Sequence, residues 1–144
     1  MNFDDVPHPD DFFVSTDKTL LDVPFVHSEL RKTYWGSWMS LPTVLKAIDN
    51  SLCFGLYKRA DGITRQLGFA RVITDYATFA WICDVVIAES HRKKGLGKFM
   101  MNVIMSNPEV KPRSCLLTTR DAHGLYAKFG FTPYSAMKRQ GGQT

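Results

Sequence analysis

The sequence predicts an α/β (α+β) fold: a mixed, mostly antiparallel twisted sheet of about six or seven strands with helices on both faces. Three observations lead there. The run Trp81-Ile82-Cys83-Asp84-Val85-Val86-Ile87-Ala88 is rich in β-branched residues and does not alternate, the pattern of a strand covered on both faces. After a glycine-containing basic loop, Leu96, Phe99, Met100, Val103 and Ile104 recur at the spacing of one helix face. The apolar segment Ser114 to Thr119 then reads as another buried strand, which implies parallel pairing with the first through a right-handed crossover.

The remaining elements follow along the chain. Up to about Asp10 the sequence is polar with Pro7 and Pro9 and is expected to form a loose tail. Phe12 to Thr16 is the first strand. Pro24 opens a helix whose Val23, Val26, Leu30 and Tyr34 share one face. Ser40 is the expected N-cap of a second helix, with Leu41, Val44, Leu45 and Ile48 as its stripe and Asn50 at its end. Ser51 to Lys58 and Gln66 to Thr74 are strands joined across Ala60-Asp61-Gly62, and Thr74 to Ala77 turns the second of them into the central strand. Asn107-Pro108 stops the central helix. Further on, Asp121 is expected to cap a short helix from Ala122 to Phe129, with Gly130 in the left-handed position after it. Phe131-Thr132 begins a last strand, and the tail from Lys138 is polar and frayed.

Size and composition bound the function. A chain of 144 residues is expected to be one domain, 1–144, with tails at 1–10 and 138–144, and is large enough to bury a core without staples. Hydrophobic residues at 44% and charged residues at 22% exclude disordered and fibrous classes. The net charge of +4 is modest and its positive residues are dispersed except between Arg92 and Lys98, which suits a compact polyanion and not nucleic acid. Cys53, Cys83 and Cys115 are odd in number and lie in apolar segments, so they read as reduced core thiols of a cytoplasmic protein, with neither a disulfide framework nor a metal site. The N-terminus lacks the pattern of a signal peptide and no stretch has the length of a membrane span, so no membrane partner is expected.

The loop Glu89-Ser90-His91-Arg92-Lys93-Lys94-Gly95-Leu96-Gly97-Lys98 reads either as a solvated turn before a helix or as an anion site. The first N–H groups of a helix have no intrahelical acceptor, and the helix dipole places roughly half a positive charge there. Glycines let a phosphate approach, and Arg92, Lys93, Lys94 and Lys98 add charge. Neither the Walker nor the dinucleotide spacing is present. Arg92-x-x-Gly95-x-Gly97 resembles the pyrophosphate loop of the GCN5-related N-acetyltransferases (GNAT), which transfer acetyl from acetyl-CoA to amines. The stretch Thr119-Arg120-Asp121-Ala122-His123-Gly124-Leu125-Tyr126-Ala127-Lys128-Phe129-Gly130-Phe131 resembles the C-terminal motif of the same family, with a departure: Thr119 stands where many members carry Asn. The resemblance runs from about Phe12 to Phe131.

The resemblance implies a GNAT-like acyl-CoA fold and an acetyl-CoA donor held by residues Arg92 to Lys98, with its pantetheine arm along Val85, Val86 and Ile87 and near Thr119. It implies an amine acceptor, taken here as a small molecule. A protein N-terminus or lysine, and a non-catalytic acyl-CoA-binding module, stay open as alternatives, as does a homodimer. The chemistry itself needs a neutral amine, and deprotonating an alkylammonium of pKa about 10.4 at pH 7 costs about 4.6 kcal/mol. It also needs N–H donors for an oxyanion and help for the leaving thiolate. Tyr126 is the candidate for the thiolate; the other reading makes it one of a buried helix face with Ala122, Leu125 and Phe129. Asp84 is either a base with a raised pKa or a hydrogen-bonded structural carboxylate. Arg71, read as sharing a face with Leu67, Phe69 and Ile73, either clamps an anionic substrate or pairs with Asp84. Trp35 and Trp38 line an acceptor pocket or belong to the core. His91 reads as solvated, and Met100, Met101 and Met105 as helix core or flank.

Overall fold

The computed structural model describes residues 5–142. Six strands form one sheet in sequence order: β1 (Val6–Pro7), β2 (Phe12–Ser15), β3 (Leu52–Ala60), β4 (Ile63–Thr74), β5 (Phe79–Ile87) and β6 (Ser114–Leu116). Every neighbouring pair is antiparallel except β5 and β6, which run parallel. The helices are α1 (Val23–Arg31), α2 (Leu41–Asp49), α3 (Leu96–Ser106) and α4 (His123–Ala127). Fold class and strand number agree with the expectation from sequence.

Local chemistry accounts for the element ends. Asp22 caps α1 by accepting from the Phe25 N–H, and Ser40 caps α2 by accepting from the Thr43 N–H; each helix has proline in its first turn. Asp61 and Gly62, both with positive φ (53° and 76°), make the two-residue turn that matches strand twist. The β3–β4 ladder therefore runs to Ala60↔Ile63, beyond the expected strand ends. Gly130 is left-handed (φ 88°), and the N–H groups of Gly130 and Phe131 donate to Ala127 O and Tyr126 O, which closes α4 as its sequence predicts.

Other expectations are corrected. Val6–Pro7 is a short edge strand paired with Phe13 and Val14, so part of the expected N-terminal tail is ordered; residues 1–4 lie outside the described residues. Tyr34 lies beyond the end of α1 and is exposed. Leu41 and Leu45 are exposed, and only Val44 and Ile48 of that stripe are buried. The strand expected at Ser114 to Thr119 stops at Leu116, and Phe131-Thr132 joins no strand. Asp121 does not cap α4; its cap residue is Ala122, whose N–H is held by Thr119 Oγ1 at 2.9 Å.

The sheet separates two cores. Phe54, Leu56, Ala70, Val72, Ala80 and Ile82 pack against Leu96, Met100, Met101 and Ile104 of α3. On the other face Cys53, Phe69 and Val86 pack against Val26 and Leu30 of α1 and Val44 and Ile48 of α2. Two bulges adjust which side chains face which core. Between Leu56↔Gly68 and Tyr57↔Gln66 the register skips Leu67, which turns Leu67 into the α3 core while Phe69 faces α1 and α2. Leu67 and Phe69 therefore do not share a face, contrary to the unbroken alternation read from sequence.

Gly55 shows how tight the sheet is. Tyr57 is fully buried and stacks on Phe13 at 5.3 Å between centroids. A Cβ on Gly55 would stand 2.6 Å from Tyr57 Cε2 and nearer still to its hydroxyl oxygen. Gly55→Ala is expected to lower stability by about 1–3 kcal/mol through overpacking. Gly124→Ala, with nothing within 4 Å of the added carbon, should leave stability unchanged or raise it, because alanine is the better helix former. Urea denaturation of both variants checks the pair; equal midpoints would contradict it.

Candidate active site

The site begins at an irregularity in β5. Phe69 pairs with Val86 and Arg71 with Cys83, so Asp84 and Val85 together oppose Ala70 alone, and Asp84 takes a left-handed φ of 55°. This is a β-bulge, and aspartate is one of the few residues other than glycine that tolerates that backbone. Its effect is to reverse the strand's faces. Ala80 and Ile82 point into the α3 core before it; after it Val85 and Ile87 lie on that side and Val86 points to α1 and α2.

Side chains fix the bulge. Asp84 is 6% exposed. Its Oδ2 accepts from Arg71 Nε at 2.8 Å and its Oδ1 from Trp35 Nε1 at 3.2 Å, and Arg71 also donates to Ser51 Oγ at 3.2 Å. Arg71 thus pairs with Asp84, one of the two roles read for it from sequence. Trp38 Nε1 donates to Trp35 O at 3.0 Å, which ties the loop between α1 and α2 to the same point.

Beside the bulge the sheet opens. The parallel ladder holds Phe79, Ala80 and Trp81 against Ser114, Cys115 and Leu116. From Ile82 onward β5 has β4 on one side and no strand on the other among the described residues. A cavity of about 880 Å³ lies over this opening. Trp35, Trp38, Arg71, Asp84, Val85, Thr119 and Tyr126 all line it, together with Tyr34, Trp81 and Cys83. Trp35 and Trp38, 40% and 64% exposed, are cavity walls and not core. Tyr126 is half-buried, its ring 6.1 Å from Phe131 between centroids. Burial first, then Tyr34 and Asp121, hold its phenol above the usual value near 10.

The basic loop lies at the far end of β5, outside this cavity. Gly95 is left-handed (φ 76°) and precedes α3 as its cap residue. Among the described residues, the backbone N–H groups of Lys93, Lys94, Gly95, Leu96, Gly97 and Lys98 have no hydrogen-bond acceptor. A Cβ on Gly97 would meet only Ile87, at 3.9 Å, so the surface over these donors is open. Arg92 Nε donates to Ile87 O at 3.0 Å, which joins the loop to the strand edge. Val86 contributes backbone to that edge, since its side chain is buried in the other core. His91 bonds Ser90 Oγ at 2.7 Å and lines no part of the cavity.

The sheet parts between its two parallel strands, and a run of N–H groups without acceptors stands where the longer strand ends. Comparisons with known proteins show the family. The sequence pattern of the acetyltransferase (GNAT) domain matches residues 49–133. The candidate acetyltransferase FG08082 of Gibberella zeae is 30% identical over 86% of this chain and 81% of its own length. A crystal structure of a candidate GNAT-family acetyltransferase from Xanthomonas campestris superposes with a TM-score of 0.82 at 45% identity, covering 94% of each chain. Rv2747 of Mycobacterium tuberculosis, solved in complex with CoA, shares the fold with a TM-score of 0.65 at 17% identity, over 88% of this chain and 75% of that one. The chain belongs to the GNAT acetyltransferase family.

Tyr34, whose ring lies under the Arg120 guanidinium at 3.9 Å, and Trp81 also line the cavity, although their periodicity in the sequence fits packing positions of a helix and a strand. Sequence reasoning missed the bulge. The one available signal was a charged residue of a type that accepts left-handed backbone within an otherwise apolar strand.

Two expectations follow. Asp84→Ala should cost about 3–5 kcal/mol, since it strands a buried guanidinium and puts alanine at positive φ, whereas Asp84→Asn, which keeps the turn and an acceptor oxygen, should cost less. Equal unfolding midpoints for the two would contradict this account of the bulge. Of the three cysteines expected in the core only Cys53 is buried there; Cys83 and Cys115 are half-buried, and Cys83 lines the cavity. They should still be three slow thiols: all are free, and burial pushes Cys53 up to about 11, Cys83 up to about 12 and Cys115 upward. Thiol titration should find three groups in the denatured, unreduced protein and slow reaction at pH 8 in the native one; fewer than three would reveal a bridge.

Proposed function

We propose that the protein is an acetyl-CoA-dependent N-acetyltransferase acting on a primary amine, with a small molecule as acceptor. The observation that carries this reading is the pairing of two features along one strand: open N–H donors at residues 93–98 and an unpartnered β5 edge leading from them to Tyr126. The group fits what is present, because the N–H donors and the lysines suit a pyrophosphate, and the β5 edge offers unpaired peptide groups to the amides of a pantetheine arm. When bound, acetyl-CoA supplies the thioester.

In this reading the chain's residues divide the work. The N–H groups of Lys93 to Lys98 bind phosphate oxygens. Thr119, its hydroxyl already accepting from Ala122 N–H, shapes the opposite wall. Peptide N–H groups at the Asp84–Val85 bulge supply donors where negative charge develops on the carbonyl oxygen. Asp84, with both oxygens engaged, is a positioning residue that keeps the bulge in place, and loss of the amine's proton falls to water in the cavity. Tyr126 donates a hydrogen bond to the leaving thiolate. Its raised pKa makes full proton transfer to a thiolate near 8.5 uphill by more than about 2 kcal/mol, so it stabilises the charge and water completes the protonation. The aromatic walls Trp35, Trp38 and Tyr34 suit an acceptor with a cationic amine and an apolar body. The same chemistry at a protein lysine or N-terminus is the second reading, favoured by the exposure of Trp38 at the cavity mouth.

CoA release against a panel of amines, polyamines, amino acids and peptides tests the activity. Gly97→Glu should abolish acetyl-CoA binding while leaving the fold intact, since an added Cβ makes only an ordinary contact with Ile87 at 3.9 Å; unchanged calorimetric affinity would contradict the placement. Tyr126→Phe should lower kcat by about 10²-fold with little change in acetyl-CoA affinity. Because Tyr126 stays protonated below pH 10, kcat should rise with pH as the amine deprotonates and show no falling limb below pH 10. A falling limb near pH 8–9 that disappears in Tyr126→Phe would contradict the assignment.

A further inference from the structure

The segment after Phe131 has neither helix nor strand and makes no hydrogen bond to the described residues, yet it returns to the active site. Lys138, Gln140, Gly141 and Gly142 line the same cavity as Asp84, Val85 and Tyr126. Lys138 is the lysine that does so; no other lysine lines this cavity among the described residues. The remaining amines are placed differently. Lys32 is paired with Glu29, Lys18 donates to Asp49 O and Lys58 lies over Phe12, while Lys93, Lys94 and Lys98 belong to the anion loop. Lys138 has no ion-pair or hydrogen-bond partner among the described residues. A residue that carries a primary amine is therefore tethered at the wall of the space assigned to the acceptor.

We propose that Lys138 is a site of self-acetylation in cis. This rests on the acetyltransferase reading above and names an acceptor for that same site. The Lys138 Nζ lone pair attacks the thioester carbonyl carbon of acetyl-CoA; an N–C bond forms, the C–S bond breaks, and the sulfur leaves with the electron pair. The ammonium gives up two protons: one reaches the thiolate through water and the other is released to solvent. Lysine ammonium and acetyl-CoA become acetyl-lysine, CoA thiol and one proton. Tethering makes the step unimolecular, so a flexible segment supplies an acceptor at high effective concentration. The product is an uncharged amide at the mouth of the cavity.

The experiment incubates the full chain with acetyl-CoA and no added amine and follows each lysine by peptide mass spectrometry. Lys138 should acquire acetyl at least about tenfold faster than exposed Lys46 and Lys111, at a rate that tenfold dilution of the protein leaves unchanged, as intramolecular transfer requires. Tyr126→Phe should slow Lys138 and leave Lys46 and Lys111 at their uncatalysed rates. A second arm needs no acetyl-CoA: all three tryptophans, Trp35, Trp38 and Trp81, line the cavity, so a nitroxide on Lys138→Cys should quench their emission more than one on Lys111→Cys. Modification of Lys138 no faster than Lys46, or a rate proportional to protein concentration, would overturn the proposal, and so would equal quenching by the two labels. CoA release with free amines while Lys138 stays unmodified would overturn this inference alone. Failure of both CoA release and modification would overturn the acetyltransferase reading with it.

Discussion

The bulge at Asp84 is the constraint on which the rest of the molecule depends. One extra residue in β5 reverses the strand's faces, so that the same strand fills the α3 core with Ile82 and the α1–α2 core with Val86. A left-handed aspartate is costly backbone, and a buried ion pair loses several kcal/mol of hydration per ion. Both costs are carried at one point. Arg71, Trp35 and Ser51 converge there from β4, the α1–α2 loop and the start of β3, so three elements share the geometry. Removing any one partner leaves a buried polar group unsatisfied, which makes the arrangement all or none.

The opening between β5 and β6 follows from the same geometry. Parallel pairing lasts only through Trp81 and Leu116, and past it β5 stays paired with β4 on either side of the bulge, while its other edge has no strand among the described residues. An unpaired strand edge is ordinarily a hazard for association. Here it is short, lies under the cavity and points toward the N–H cluster that begins α3. In the proposed reading this gives the ligand one direction, with its anionic end at residues 93–98 and its reactive end near Tyr126, among the aromatic walls.

Much of this was legible in the sequence, for identifiable reasons. The unalternating Trp81 to Ala88 run and the helix face from Leu96 placed β5 and α3, and Gly95 sits where its positive φ requires glycine. Pro24 located the start of α1 and the Ser40 cap that of α2, and Asp61-Gly62 located the hairpin. What escaped depends on tertiary context. Nothing in Ser114 to Thr119 says that its ladder ends at Leu116, because that end is set by the divergence of β5. Tyr34 fits the periodicity of α1 but lies past its last turn, where the chain bends to bring Trp35 to Asp84. The polar tail at Lys138 reads as frayed by composition, and only the three-dimensional arrangement shows it at the cavity.

The central claim is that one ligand runs from the N–H cluster of α3 along the open edge of β5. Amide hydrogen exchange with and without acetyl-CoA tests it most directly, because the groups at issue are backbone N–H groups. The account predicts that protection on binding is confined to Lys93 to Lys98, the β5 segment from Ile82 to Ile87 and the Thr119 to Tyr126 wall, with β1 and β2 unchanged. Protection centred elsewhere, or none in the 93–98 loop at saturating acetyl-CoA, would contradict it.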